Sequence, residues 1–432
     1  MMKIFNATVL IGATWMALTA FGAAETLEAV TEDWRQRLVQ LGGGQGVDTS
    51  FCLQDTAGNV IVQWNSQRLM LPASTLKVAT AVAILEQGEL DKPLRTRIQI
   101  QGKRIRWQGG YDPELTSGQL EDLMLQIVPK LEGSVVLEVP GPEPEPYPSG
   151  WSWDDLSSSF APPVAELVFD RGLIPLRILR TTGQQLQVAG PPWTPQDGLG
   201  FLARPAGATY DFDMRVMPGW PGWVMVGEVA PGVEEAVTVP MLRPELAAAR
   251  LLGEVLRRRG LKVEVGAWSP DFRADWEVSH DSRPVRQVLA QALADSDNLA
   301  MECLYRRFGR KSPKVWKDLA PVRVADGSGL SRYNSVSSGH LMAALQSQPE
   351  VVDLLPASGE GTLKRRFLDS PLQGKIRAKT GTLSGASGLM GEFIAASGGS
   401  FRFVLLTQGF IGSSQPFKQA ESDLVLALAK IL

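Results

Sequence analysis

The sequence predicts an α/β fold of the α+β kind, in which one α/β domain is interrupted by a largely β insert. Three observations carry this expectation. Helix-period and strand-period segments alternate at both ends of the chain. In the middle the composition changes, with no lysine between Lys130 and Lys262 and with Pro140, Pro142, Pro144, Pro146 and Pro148 at alternate positions. Helical periodicity then returns from Pro244 onward. At ~150 residues per domain, 432 residues suggest two or three domains. The expected division is an outer domain of residues 25–92 and 267–432 around an insert of residues 93–266.

The elements follow in order. Lys3, the apolar run Ala7 to Ala20 and the small residues Gly22-Ala23-Ala24 read as a signal peptide over residues 1–24, cut before Glu25. That run is shorter than the ~20 apolar residues of a membrane span, so the mature chain is expected to be exported, periplasmic and without a transmembrane segment. A short helix is predicted at Thr31 to Leu41, and strands at Phe51 to Asp55 and Val60 to Trp64, which turn at Ala57-Gly58-Asn59. Ser74 to Gln87 has apolar residues at helical spacing and stops at Gly88. The alternating prolines favour an extended segment. Short β-rich runs follow at Gln184 to Val188 and Trp223 to Glu228. Helices are predicted at Pro244 to Arg259, Pro284 to Ala294 and Leu299 to Phe308. Three strands come next, at Lys375 to Thr382, Leu389 to Ala396 and Phe401 to Gln408. A closing helix, about Phe417 to Leu432, carries its apolar residues on one face.

Composition removes several function classes. With 44% hydrophobic and 21% charged residues the chain can bury ordinary cores. A net charge of −3 without a basic stretch gives no footprint for nucleic acid. Cys52 and Cys303 cannot make a disulfide framework and read as buried thiols. Only two histidines occur, His280 and His340. Both fall outside the motifs and read as surface or helix-start residues. No metal-ligand cluster stands out, and no cofactor is called for.

Three motifs carry chemistry. Ser74-Thr75-Leu76-Lys77 is an S-x-x-K tetrad at a helix start, where residues i and i+3 share a face and the amine can reach the hydroxyl. The helix N-terminus there favours a developing anion. Its bland alternative is an N-cap serine beside a solvated lysine. Ser296-Asp297-Asn298 lies between two predicted helices and can place a hydroxyl and an amide in a cleft, or merely cap the second helix. Lys379-Thr380-Gly381-Thr382 ends a strand. Such a strand can pair with an extended peptide while Lys379 and the threonine hydroxyls face its carboxylate, and Gly381 lets the substrate backbone approach. Each motif alone has a bland explanation. Together, in this order and on these element types, they are the trio of penicillin-binding proteins and class A β-lactamases.

With Leu71-Pro72-Ala73-Ser74-Thr75-Leu76-Lys77, Gly109-Gly110-Tyr111-Asp112-Pro113-Glu114-Leu115, Trp153-Asp154-Asp155, Asp326-Gly327-Ser328-Gly329-Leu330-Ser331-Arg332-Tyr333-Asn334 and Gly359-Glu360-Gly361-Thr362-Leu363, the chain resembles the D-alanyl-D-alanine carboxypeptidase/endopeptidases of the penicillin-binding protein 4 type. More than two hundred positions separate Lys77 from Ser296, and a large insert there is this family's hallmark. Two features depart from the family. Tyr111 replaces the usual third glycine, and fewer than thirty positions separate Asn298 from Asp326.

The resemblance implies a β-lactamase/transpeptidase-like domain with helices around an antiparallel sheet. Ser74 would attack the carbonyl between two D-amino acids of peptidoglycan, and water would release the acyl-enzyme. Lys77 would take the Ser74 proton, and the Ser74 and Thr382 N–H groups would form the oxyanion hole. Asn298 would bond the substrate amide and Ser296 would relay a proton to the leaving amine. Lys379, Thr380 and Thr382 would hold the terminal carboxylate. Asp155 and Arg332 would border the place of the third stem-peptide residue. β-Lactam antibiotics would acylate the same serine.

Two readings compete. A class A β-lactamase deacylates with a glutamate of an E-x-x-L-N loop, and Glu302, Glu350 and Glu360 do not begin that pattern. A non-catalytic cell-wall scaffold would need neither Ser74 nor Lys77.

Overall fold

The computed structural model describes residues 20–43, 46–179, 187–194, 199–204, 211–216, 223–228, 232 and 234–432. Apart from Ala20 to Ala24, the expected signal peptide lies outside the described residues, as do residues 184–186 of the strand expected at Gln184 to Val188. The chain divides into two compact units: residues 1–90, 286–301 and 308–432, and residues 91–285 with 302–307.

In the first unit the elements are α1 (Ala20–Leu41), β1 (Asp48–Asp55), β2 (Val60–Trp64), α2 (Leu76–Leu85), α3 (Val285–Asp295) from its second residue, residues 298–301 of α4 (Asn298–Arg307), α5 (Ser338–Ser347), β3 (Ile376–Leu383), β4 (Ala386–Ile394), β5 (Ser400–Gln408) and α6 (Gln415–Ile431). Helix α1 is longer than predicted because Ala23 to Ala29 continues upstream as good helix formers without a proline. The five strands form one antiparallel sheet in the order β3-β4-β5-β1-β2. Phe51, Leu53, Leu389, Phe393, Phe403 and Leu405 share one face and pack with Trp34 of α1 and Leu424 and Leu428 of α6. Fully burying each such side chain is worth ~1.5–3 kcal/mol. The opposite face meets the α2 side, where Thr75 stands against Gly388. All ten residues of α2 are buried, which explains why that helix is apolar all round.

The second unit holds a five-stranded sheet in the spatial order 262–267, 134–139, 104–108, 93–101 and 276–284, and two three-stranded sheets. It is more helical than expected. Ser117–Ile127 is a helix whose Leu120, Leu123, Met124 and Ile127 join the core, opened by a capping box between Thr116 and Gln119. Pro244–Arg258 packs into the same core. A boundary at residue 266 would cut Trp276–Pro284 from its antiparallel partner Pro93–Gln101, and the unit runs to Val285.

Tyr111 has φ +57° in the place of the family's glycine. A side chain is tolerated there at the strain cost of the left-handed region. Cys52 and Cys303 are free and buried, and burial pushes the Cys52 thiol up to about 12. His340 is in the first turn of α5 but is not a surface residue. Its ring is buried, with Nδ1 2.7 Å from Ser337 Oγ and Nε2 2.8 Å from the Ala320 carbonyl. No described helix is long and apolar enough to cross a membrane.

Candidate active site

The S-x-x-K motif begins on a strained turn. Ala73, a non-glycine residue, has φ +48°, and the short 3-10 turn Ala73–Thr75 then runs into α2. Conformations of this kind cost ~1–3 kcal/mol and persist only where the surroundings enforce them. Here Thr75 Oγ1 donates to the Pro72 carbonyl at 2.6 Å, and the Leu71 N–H donates to Gln408 Oε1 at 2.9 Å. Two glycines press on the same turn. A Cβ on Gly381 would lie 2.9 Å from the Pro72 carbonyl oxygen and 3.1 Å from the Thr75 nitrogen. One on Gly329, at φ +79°, would lie 2.0 Å from the Ala73 carbonyl oxygen. Gly381 is therefore required by the packing of β3 on the serine's turn, a reason distinct from the substrate approach that the sequence suggests.

One turn along, Lys77 is fully buried. Its Nζ donates to Ser74 Oγ at 3.0 Å, to Asn298 Oδ1 at 2.7 Å and to the Ser328 carbonyl at 2.5 Å. The tetrad is thus neither a capping serine nor a solvated lysine. Ser296-Asp297-Asn298 joins α3 to α4 with Ser296 at φ +59°. Asp297 Oδ1 accepts the Ala300 N–H at 3.0 Å and caps α4, so the bland reading holds for the middle residue, while Asn298 Oδ1 meets Lys77 Nζ and Ser296 Oγ meets Lys379 Nζ.

Lys379 is the second buried cation. Its Nζ donates to Ser296 Oγ at 2.8 Å and to the Thr380 carbonyl at 3.0 Å. Burial, and then the charge of Lys77, push its pKa well below the ordinary lysine value. Its strand, β3, is an edge of the sheet; residues 356–358 already pair with Ile376 to Ala378, so the outward backbone groups left for an added strand lie beyond Ala378. Strand alternation places Lys379 and Gly381 on the α2 side, with Thr380 and the exposed Thr382 on the other.

The structure therefore joins Ser74, Lys77, Asn298, Ser296, Lys379 and Thr380 through two lysine hubs. Arg332 Nη1 donates to the Ser384 carbonyl at 3.4 Å, in the turn that follows β3. Asp155 ends the short 3-10 turn Trp153–Asp155 of the second unit and is half-buried. Sequence reasoning missed the residues behind Lys77. Asp326 and the Ser328 carbonyl belong to a D-G-S-G turn whose composition signals a side-chain-held loop, and Thr80 of α2 is hydrogen-bonded to it.

The chain matches the D-Ala-D-Ala carboxypeptidase 3 (S13) family over residues 44–431. It is 25% identical to the D-alanyl-D-alanine carboxypeptidase DacB of Haemophilus influenzae over 430 residues, covering 88% of this chain and 89% of that one. It is 24% identical to the D-alanyl-D-alanine carboxypeptidase of Actinomadura sp. over 467 residues, covering 93% and 85%. Its fold is similar to the crystal structure of penicillin-binding protein 4 from Haemophilus influenzae, with a TM-score of 0.78 and 23% identity over 92% of this chain and 99% of that one. That protein has also been crystallised with a novel β-lactam. Fold and family together define a peptidase of the serine hydrolase class. The chain belongs to the D-Ala-D-Ala carboxypeptidase 3 (S13) family, and its activity is that of a serine D-alanyl-D-alanine carboxypeptidase.

Proposed function

We propose that Ser74 is the nucleophile that attacks the carbonyl between two D-amino acids of peptidoglycan, with Lys77 as its base. The observation that carries this reading is the Lys77 hub: one buried amine within hydrogen-bond reach of both the Ser74 hydroxyl and the Asn298 amide. Asn298 then bonds the substrate amide, and Ser296, held by Lys379, passes a proton to the leaving amine. Lys379 receives the terminal carboxylate at the outer edge of β3, around which the Thr380 and Thr382 hydroxyls reach it from the strand's other face, and the Ser74 and Thr382 N–H groups stabilise the oxyanion, each worth about 10²–10³-fold in rate. Gly381 keeps the strand close to the serine. Arg332 reads the third residue of the stem peptide. The enzyme works in the periplasm after removal of its signal peptide, cleaves cross-links as well as terminal D-alanine, and is acylated by β-lactams, as the Haemophilus protein's complex with one suggests.

Fluorescent penicillin tests the nucleophile. Wild-type protein is expected to carry one covalent label and folded Ser74→Ala none, and stoichiometric labelling of the alanine variant would overturn the assignment. Digestion of purified sacculi tests the substrate. Released D-alanine with split cross-links is the expected result, and intact dimers would remove the endopeptidase part.

A further inference from the structure

Behind Lys77 lies a loop that no motif of the trio includes. Asp326 is fully buried and its carboxylate binds the loop that follows. Oδ1 accepts the Gly329 N–H at 2.9 Å and the Asn334 amide at 2.7 Å. Oδ2 accepts the Leu330 N–H at 3.1 Å, the Ser331 N–H at 3.0 Å and the Ser328 hydroxyl at 2.7 Å. Five donors on one carboxylate leave the loop little freedom. It is also tied to the catalytic helix from outside. Thr80, one turn beyond Lys77 on α2 and buried, donates from Oγ1 to the Gly327 carbonyl at 2.8 Å. The next carbonyl, that of Ser328, is the acceptor 2.5 Å from Lys77 Nζ.

The stereochemistry of nitrogen gives this arrangement a consequence. An ammonium has three N–H donors, and a neutral amine has two and a lone pair. Of the three partners described for Nζ, the Asn298 Oδ1 and the Ser328 carbonyl can only accept, whereas the Ser74 hydroxyl can donate. When the amine is neutral, those two oxygens hold its two N–H bonds, and the lone pair is left to face the Ser74 proton.

We propose that the loop Asp326–Ser331 is a positioning device for the Lys77 amine: clipped to α2 by Thr80, it holds the Ser328 carbonyl on one N–H and so turns the lone pair toward Ser74. The inference rests on Lys77 being the base. Thr80 and Asp326 act only through Lys77, as positioning residues.

The test is stopped-flow acylation by a chromogenic cephalosporin between pH 5 and 10, with Thr80→Val, Thr80→Ser and wild-type protein. Thr80→Val keeps the shape and removes the donor. A misplaced reacting group costs about ten- to a hundred-fold, so its plateau acylation rate is expected to fall by that factor while the encounter affinity stays within about twofold. The ascending pH limb is expected to move to lower pH, because a withdrawn carbonyl no longer favours the ammonium. Thr80→Ser, which restores the donor, is expected to recover both rate and limb. Wild-type acylation by Thr80→Val overturns the proposal, as does a loss confined to affinity or to melting temperature with the limb unmoved. Should Thr80→Val not fold, Thr80→Ala removes the same donor without a second methyl and is read in the same way. Vigorous acylation of Lys77→Arg would instead overturn the base reading itself, so the two failures are told apart.

Discussion

Lys77 and Lys379 are both fully buried, and burial first, then the charge of Lys77, lowers the pKa of Lys379. Two buried amines cannot both hold a proton cheaply, and an incoming anion favours charging Lys379.

A carboxylate docking beside Lys379 favours its charged form. Since the free enzyme holds this pKa well below the ordinary lysine value, binding above the lowered pKa must take up a proton. Affinity of Ser74→Ala for an acyl-D-Ala-D-Ala peptide is expected to rise as pH falls, at most about tenfold per pH unit, between the ordinary lysine value and the lowered one. Calorimetry in buffers of different ionisation heat measures the uptake directly. Heats independent of the buffer would exclude it.

The same shift has a sign in stability. Between the lowered pKa and about 10.4 the unfolded chain binds a proton that the folded chain does not, so stability rises with pH over that window. Below it, the folded protein bears a buried charge. Lys379→Met is therefore expected to melt above wild type at pH 7, by about 2–4 °C for each kcal/mol relieved, with the gain shrinking toward pH 10. A lower melting point at pH 7 would show that the bonds to Ser296 and Thr380 outweigh the buried charge.

Behind β4 lies another buried charge pair. Glu421 Oε1 accepts from Ser387 Oγ at 2.6 Å, and Arg366 Nη2 lies 3.5 Å from Oε2. Ser387 is opposite Thr382 in the sheet, so the pair supports the strand that carries Thr382. Burial raises the Glu421 carboxyl and lowers the Arg366 guanidinium, each partly offset by the other. Removing one partner leaves the other a charge with neutral partners only, Ser422 and the Lys418 carbonyl for Arg366 or Ser387 for Glu421, and Glu421→Leu or Arg366→Met is each expected to cost ~3–5 kcal/mol in urea unfolding. The double variant is expected to cost less than either. Additive losses would show that the two groups do not interact.

Much of this architecture was legible. Sheet, helices and the three motifs follow from periodicity and spacing, because those residues obey local rules. What escaped the sequence depends on tertiary closure. The Ser117–Ile127 helix was readable from Leu120, Leu123, Met124 and Ile127, yet the proline-rich stretch beyond it suggested a β insert. The reason for glycine at 381 lies in the Pro72 carbonyl, hundreds of residues away in sequence. Asp326 stands in the sequence only as the start of a motif block, and only folding brings the loop it holds to Lys77.

Gly329 illustrates the same point as a prediction. At φ +79°, with a Cβ that would meet the Ala73 carbonyl oxygen at 2.0 Å, alanine there suffers both an unfavourable backbone region and a clash with the nucleophile's turn. Gly329→Ala is expected to lower stability by ~2–4 kcal/mol and to slow acylation, since relief of the clash displaces Ala73 and with it Ser74. Melting temperature and penicillin labelling measured together check this. A variant that melts and labels like wild type would show that the turn yields without moving the serine.

The sharpest prediction concerns Lys77. A free lysine, with a pKa near 10.4, is only ~0.1% neutral at pH 7.4, and a base must be neutral to accept the Ser74 proton. The acceptor-only oxygens of Asn298 and Ser328 define what that neutral amine would do: keep two N–H bonds and face the hydroxyl. Arginine at this position would retain a cation within reach of the same oxygens but cannot give up its proton. Lys77→Arg therefore separates deprotonation from electrostatics, and acylation is expected to fall by about 10²–10⁴-fold, the range of general-base catalysis. The wild-type rate is expected to climb with pH. If Lys77 instead stays charged and only orients Ser74, Lys77→Arg will acylate substantially and the wild-type profile will have no ascending limb. Stopped-flow traces with a chromogenic cephalosporin from pH 5 to 10, on variants whose melting curves show them folded, decide between the two.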